Sequence, residues 1–251
     1  MSDIKYQNIN LGIVTPMANE ADNAERFVEV VLQTCEEFNF NRIEMYLVFD
    51  YSCTDGTMNT LKRKALHDSR IKIIWAPENK CVAGAYMEGY KSALSCKNDW
   101  ILEIDAGFSH DPKQIPLFFL EMIKGYDCVF GVRFGLFGSK FSGSMKRKFI
   151  SRIGSFATNT LLKTRLSDMT SGFELFSKNS LEYILNKGIL SNGPFFQTEI
   201  KVHAHNLNIS QVPICYCSPS HTIKSKILSE SISNLWKLYL KNKGQDDLNR
   251  S

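Results

Sequence analysis

The sequence predicts an α/β fold, with a mostly parallel central sheet flanked by helices. Two observations carry this. Short apolar runs alternate with segments of helical periodicity through the first half of the chain, and most of the runs stop at a Pro or an Asp that opens a turn. The 251 residues suffice for one such unit with a sizeable core.

The elements follow in order. "LGIVT" (11–15) is a strand ending at Pro16. Phe27, Val30, Val31, Thr34, Cys35 and Phe38 then recur at helical spacing. "EMYLVF" (44–49) is a second strand ending at Asp50, and "CTDGT" after it is a turn and helix start. "IKIIW" (71–75) is a third strand, closed by Ala76-Pro77. Residues 82–95 read as a helix rich in small residues. "WILEI" (100–104) is the fourth strand, Lys113–Lys124 a helix, and "DCVFG" (127–131) a fifth strand. The second half is less regular. Residues 145–163 form an amphipathic helix, "SGFELF" (171–176) a short strand or turn, "FFQTEIKVHAHN" (195–206) a helix and "ISQVPICYC" (209–217) a strand. A last helix spans 227–241, with Leu228, Ile232, Leu235 and Tyr239 on one face. The expected organisation is one domain over 1–226, with an amphipathic helix and polar tail over 227–251.

Composition excludes several classes. Hydrophobic residues make up 43% and charged residues 22%, as in ordinary globular chains. No apolar run reaches the roughly 18–20 residues of a membrane span, and the polar start has no signal-peptide pattern. Seven cysteines without a C-x-x-C pair read as reduced thiols in a cytoplasmic protein. Net charge is only +4, but Cys128 to Ser167 contains no Asp or Glu and eight Lys or Arg. That stretch holds a positive potential suited to phosphate, nucleic acid or an anionic membrane, or else forms a solvated basic face.

There is no G-x-G-x-x-G after the first strand and no G-x-x-x-x-G-K-[ST], which argues against dinucleotide and P-loop sites. His203 and His205, two apart on a helix, point in different directions. In open sheets of this kind ligands bind beyond the carboxyl ends of the strands. Thr15 to Glu20, Asp50, Pro77 to Asn79 and Asp105 lie there. A strand-end Asp either caps the next helix or holds a nucleotide diphosphate, usually through a metal.

"TPMANEADN", "DYSCTDGT", "AGAYMEGYKSA" and "EIDAGFSHDPKQIP" stand in the order seen in inverting glycosyltransferases of family 2, which have the GT-A fold. The likeness continues through "GVRF", "MKRKFISR", "DMTSGFELF", "FFQTEI", "QVPI" and "SKI". The chain resembles most the dolichol-phosphate and polyprenyl-phosphate mannosyl- and glucosyltransferases. The resemblance implies transfer of a sugar from a GDP- or UDP-sugar donor to a lipid-phosphate acceptor. Pro16, Ala18, Glu20 and Asp50 would line the nucleotide-sugar pocket with Asp105 and Ala106. Asp105 would also meet a Mg²⁺ or Mn²⁺ ion. Arg133, Arg147, Ser151 and Lys226 would hold the acceptor phosphate, with Asp105, Arg133 and Arg147 at the catalytic centre. No nucleic-acid partner is expected.

The chain departs from the family's pattern near this site. Gly107 replaces the second Asp of Asp-Ala-Asp, Tyr51 a second Asp after the second strand, and Glu174 a frequent Arg. Ser220 and Ile223 replace an Arg and a Gly. The departures imply a different donor, a weakly held metal, or a nucleotide-sugar-binding or scaffold protein that has lost catalysis. A soluble or glycan acceptor is a further alternative. With one carboxylate where two are usual, Gly107→Asp is expected to tighten metal binding, and Asp111 and His221 are the other candidate ligands. The helix at 227–241, with Trp236 and flanking lysines, is expected to contact an anionic membrane surface, the body of the protein, or a second subunit in a homodimer.

Overall fold

The computed structural model describes residues 6–79, 81–217 and 225–248. Its main sheet has seven strands: β1 (Asn10–Pro16), β2 (Arg42–Phe49), β3 (Ile71–Trp75), β4 (Trp100–Glu103), β5 (Cys128–Val132), β7 (Glu174–Ser177) and β8 (Ile209–Pro213), in the order β3-β2-β1-β4-β7-β5-β8. Only β7 is antiparallel, to both β4 and β5. A small second sheet pairs β6 (Lys140–Ser142) with β9 (Cys215–Cys217). The expected α/β class and its first five strands are therefore present.

The central strands are buried along most of their length, and successive side chains join opposite cores because they point to opposite faces. Ile13, Leu47 and Leu102 join the core under α1 (Ala24–Glu36), α2 (Thr57–Ala65) and α4 (Ile115–Met122), where Phe27, Val31, Phe118 and Phe119 are fully buried. Val14, Tyr46 and Ile101 face the other core. It is covered by α3 (Val82–Ser95), α6 (Lys178–Asn186), α7 (Phe196–His203) and α8 (Ser225–Leu248). The small residues of α3 let it lie close to the sheet. A Cβ on Gly89 would collide with Val14 and come within 3.2 Å of Val48 Cγ2.

Helix α5 (Met145–Leu162) starts at Ser144, whose hydroxyl accepts from Arg147 N at 3.2 Å, and ends at Lys163 in the left-handed region (φ +54). Every residue of α7 is buried, including five polar or ionisable ones that each have a partner, Thr198 donating to Met169 O at 3.0 Å. Glu199 accepts from Leu190 N, Ser191 N and Ser191 Oγ at 2.8, 3.1 and 2.7 Å, and His203 Nε2 meets Gly188 O at 3.1 Å. Gln197 donates to Glu103, and Lys201 to Glu174 and to Ser171 O.

The structure changes several expectations. "ISQVPICYC" is two strands in two sheets, with the switch at Ile214. Helix α6 and strand β6 add elements the periodicity does not mark, and α8 extends beyond 227–241. The stripe on α8 is also divided. Leu235, Leu238 and Tyr239 pack on the body, while Leu228, Ile232, Trp236 and Leu240 form a separate exposed row at i, i+4 spacing. Among the described residues no helix is long and apolar enough to cross a membrane.

Candidate active site

The loops after β1, β2 and β3 are laced together at the carboxyl edge of the sheet. Asn19, held in the left-handed region, accepts from Thr54 N at 2.8 Å and donates to Ser52 O at 2.9 Å. Glu20 N donates to Thr57 Oγ1 at 2.8 Å, and Ala21 N to Asp55 Oδ2 at 3.1 Å. Asp50 accepts from Ser52 N at 2.7 Å and Asn79 Nδ2 at 2.5 Å, so it joins the second loop to the third. Pro16 and Glu20 are half-buried here and Ala18 is exposed. Burial, then the charge of Asp55, pushes the Glu20 carboxyl up. Tyr51 is exposed and meets Trp75 edge-on, with ring centroids 5.1 Å apart.

Asp105 and Ala106 follow β4 on the same edge. The Tyr86 hydroxyl donates to Asp105 Oδ1, and His110 Nδ1 lies 3.6 Å from Oδ2. His110 is 1% exposed, and neither ring nitrogen has a hydrogen-bond partner among the described residues. Burial pushes its pKa down to about 4, so the ring is neutral near pH 7. Behind Asp105, Glu103 accepts from Tyr90 and Gln197, and burial, reinforced by Glu174, pushes its carboxyl up. Glu174 is also pushed up by burial, against the pull of Lys201.

The basic stretch delivers its residues elsewhere. Arg133, Arg147 and Ser151 line one cavity of about 760 Å³ between α5 and α8. Arg133 is buried and grips Asp168 through Nε (2.7 Å) and Nη2 (2.8 Å), with Nη2 also reaching Thr170 Oγ1 at 2.5 Å. Burial alone would raise the Asp168 carboxyl, but the charge and hydrogen bonds of Arg133 outweigh it and hold the group below the usual carboxylate range. Arg147 Nη2 donates to Tyr216 OH at 3.1 Å. Tyr216 stacks 5.1 Å from His110 and 5.2 Å from the Arg133 guanidinium carbon. His110 and Tyr216 thus form the wall between Asp105 and the two arginines. Lys226 lies in the first turn of α8, its side chain outside the described residues, as are Ser220, His221 and Ile223 entirely.

Among the described residues no cluster of three or more His, Cys, Asp or Glu could enclose a metal alone. A cation here would share its coordination with a diphosphate and water, as Mg²⁺ and Mn²⁺ commonly do. Asp111 is occupied as a cap, accepting from Lys113 N at 3.0 Å. The backbone at Gly107 bears on the expectation for Gly107→Asp. Gly107 has φ +77, and a Cβ there would come 2.7 Å from Glu20 Oε2. A side chain there is strained by the positive φ, and the Glu20 carboxylate, the far end of a flexible side chain, would have to move aside.

Residues 12–185 match the sequence profile described as Glycosyl transferase family 2. The chain belongs to that family. It is 30% identical over 172 residues to an undecaprenyl-phosphate mannosyltransferase of Micrococcus luteus, covering 68% of this chain and 70% of the relative. It is 25% identical over 207 residues to a polyprenol monophosphomannose synthase of Mycolicibacterium smegmatis, covering 81% and 76%. In fold it is similar to glucosyl-3-phosphoglycerate synthase from Mycobacterium tuberculosis in complex with uridine diphosphate. The TM-score is 0.65 at 14% identity, over 92% of this chain and 80% of that one. The same enzyme with Mg²⁺ and uridine diphosphate matches at 0.65, over 91% and 79% at 14% identity. The family's GT-A-like fold is thus present, and the solved neighbours bind a divalent metal and UDP.

Sequence reading missed Tyr86, His110, Asp168 and the Glu103–Gln197 contact. Asp168 had a signal: it is the acid that ends the acid-free stretch, and it pairs with the first Arg in that stretch.

Proposed function

We propose that this protein transfers a hexosyl group, with inversion, from a nucleoside-diphosphate sugar to a polyprenyl phosphate. The observation that carries this reading is the cavity between α5 and α8. Arg133, Arg147 and Ser151 line it together with apolar residues such as Ile150, Ala157, Ile227 and Leu235. Two cations in a largely apolar cavity suit a phosphate with a hydrocarbon tail. The acceptance of polyprenyl phosphates by the two mannosyl-transferring relatives, as their names state, supports it.

The chemistry asks little of a base. A phosphate monoester is mostly dianionic at neutral pH, its second pKa being about 6. Its oxygen attacks the anomeric carbon from the face opposite the leaving group. The bond from that carbon to the diphosphate breaks, and the products are a hexosyl phospholipid and a nucleoside diphosphate. Arg133 and Arg147 orient the acceptor oxygen, while Pro16, Ala18, Glu20 and Asp50 hold the donor beside Asp105 and Ala106. A divalent metal at Asp105, when bound, offsets the charge developing on the diphosphate.

Reaching such an acceptor requires contact with a bilayer. Helices α5 and α8 touch, and both carry exposed apolar residues, Phe149, Ile153 and Phe156 on the first and Ile232 and Trp236 on the second. Lys146, Lys148, Arg152, Lys237 and Lys241 accompany them. This pattern suits a headgroup layer, where each cation near an anionic surface adds about 1 kcal/mol. The deciding experiment incubates the purified chain with UDP- and GDP-hexoses, Mg²⁺ or Mn²⁺, and either long-chain polyprenyl phosphate or 3-phosphoglycerate. Nucleoside diphosphate release with a lipid-linked sugar as product is the expected result. Release with the soluble phosphate alone, or with neither acceptor, sinks the proposal.

A further inference from the structure

Tyr216 stands at the middle of β9 and is fastened from two sides. Its register partner on β6 is Phe141, and the two ring centroids lie 5.6 Å apart. His110 pairs with it as an isolated antiparallel bridge and stacks at 5.1 Å. Cys217 N donates to Ser109 O at 2.9 Å, so the backbone is tied at the same place. The ring is 8% exposed and has little freedom to turn.

Both arginines of the cavity meet this one side chain. Arg133 follows β5 and Arg147 lies in the first turn of α5, yet their guanidinium carbons are 5.2 and 5.8 Å from the Tyr216 centroid. Arg147 Nη2 also donates to the Tyr216 hydroxyl at 3.1 Å. Two like charges brought this close repel. A ring face attracts cations, so a shared ring offsets part of that repulsion. The two arginines are not equivalent. Arg133 is buried and spends Nε and Nη2 on Asp168, which makes it a fixed charge. Arg147 is half-buried, and Tyr216 holds its Nη2.

We propose that Tyr216 is a positioning residue for the acceptor phosphate: its hydroxyl and ring hold the Arg147 guanidinium beside that of Arg133, so that both cations meet one phosphate. Among the described residues, those that line the cavity include the two arginines and not Tyr216, so it acts through Arg147 rather than by touching the ligand. An arginine already held in its binding rotamer loses less freedom when the phosphate arrives. The recognised group is a phosphate monoester, which a polyprenyl phosphate shares with small soluble phosphates. The inference rests on reading Arg133 and Arg147 as the acceptor-phosphate cations.

The test is isothermal titration calorimetry of the full chain with farnesyl phosphate and, separately, with 3-phosphoglycerate. UDP and GDP with Mg²⁺ serve as the donor-side control, and urea midpoints check the fold. Tyr216→Phe removes one hydroxyl and keeps the ring. It should weaken phosphate-ester binding by about two- to tenfold, the range for one long side chain left to be ordered on binding, and leave nucleotide affinity unchanged. Tyr216→Leu, which also takes the ring from Arg133, should weaken it further. In an Arg147→Met background Tyr216→Phe should add nothing, because the residue it acts through is gone. Unchanged phosphate-ester affinity in Tyr216→Phe overturns the proposal, as does an equal loss of nucleotide affinity, or full additivity with Arg147→Met. Arg147→Met alone separates the failures. If it weakens the phosphate ester and Tyr216→Phe does not, only the role of Tyr216 is wrong; if it has no effect, the acceptor-site reading falls too. The expected pattern with 3-phosphoglycerate alone supports the positioning role and overturns the lipid acceptor, and binding of neither ester by the wild type overturns both.

Discussion

Replacing Asp168 by Asn removes one charge and almost no volume from the interior. Asp168 is fully buried, and Arg133, 4% exposed, gives it three hydrogen bonds, from N (3.1 Å), Nε (2.7 Å) and Nη2 (2.8 Å). An amide cannot accept from all of them or balance the guanidinium. Breaking such a buried pair from one side costs about 3–5 kcal/mol. The rings of Tyr216, Phe134 and Phe141, whose centroids lie 5.2, 5.7 and 5.8 Å from the guanidinium carbon, keep part of the cation's stabilisation. The loss should therefore fall near the lower end, about 3 kcal/mol, and lower the melting temperature by roughly 6–12 °C in a chain of this size. Urea unfolding at pH 7 measures it. The folded pKa of Asp168 is depressed, so its contribution is complete at pH 7 and is lost only as pH falls below the usual carboxylate range, where wild type and variant should converge. Arg133→Met with Asp168→Asn should cost less than the sum of the two single changes, because no unpaired charge remains. A loss below about 1 kcal/mol for Asp168→Asn, or strict additivity, would refute the reasoning.

Three further outcomes are expected. Arg147→Lys should raise the apparent KM for the acceptor more than that for the donor in steady-state assays, because Lys cannot offer the planar fork; equal effects would move Arg147 to the donor diphosphate. Gly89→Ala should destabilise the protein by about 1–3 kcal/mol in urea, since the added methyl collides with Val14 and forces α3 off the sheet; a gain in stability would contradict that contact. Burial pushes His203 down to about 4, while the unfolded chain protonates near 6.5. Stability should therefore fall as pH drops between those values, and His203→Gln should lessen that fall. Glu103 and Glu174 act with the opposite sign but are common to both proteins, so parallel urea midpoints with and without the substitution would exclude the histidine as a source.

β1, β2, β4 and β5 were legible because each is a largely apolar run in the part of the sheet buried on both faces. Helix α6 was not, since its short apolar set is Leu181, Ile184 and the partly buried Leu185, with Ser180 buried beside them. The break in "ISQVPICYC" was hidden by continuous apolar character. There Ile214 N still donates to Val132 O of β5 at 3.0 Å while Ile214 O accepts from Lys140 N of β6 at 3.0 Å, so one residue hands the chain from one sheet to the other. In the site, Asp105 stood out because a carboxylate ends an apolar run. Tyr86 and His110 became visible only in three dimensions. Gln197 reaches Glu103 across 94 residues of sequence, a pairing no local pattern encodes. In one dimension Gly107 is only a missing carboxylate, and only the packing shows the Glu20 carboxylate lying against it.

The path from β5 to β7 has a consequence for how such proteins diversify. The two strands are antiparallel neighbours, and Gly131 N donates to Phe173 O at 2.8 Å, so the intervening forty-odd residues leave and re-enter the sheet at nearly the same point. That excursion carries Arg133, Arg147, Ser151 and all of α5. A loop with adjoining ends can change length at little entropic cost, each doubling adding about 0.6 kcal/mol. The segment can therefore change length or be grafted as a unit while the first four strands stay as they are, and under the proposed function such a graft would alter the acceptor before the donor.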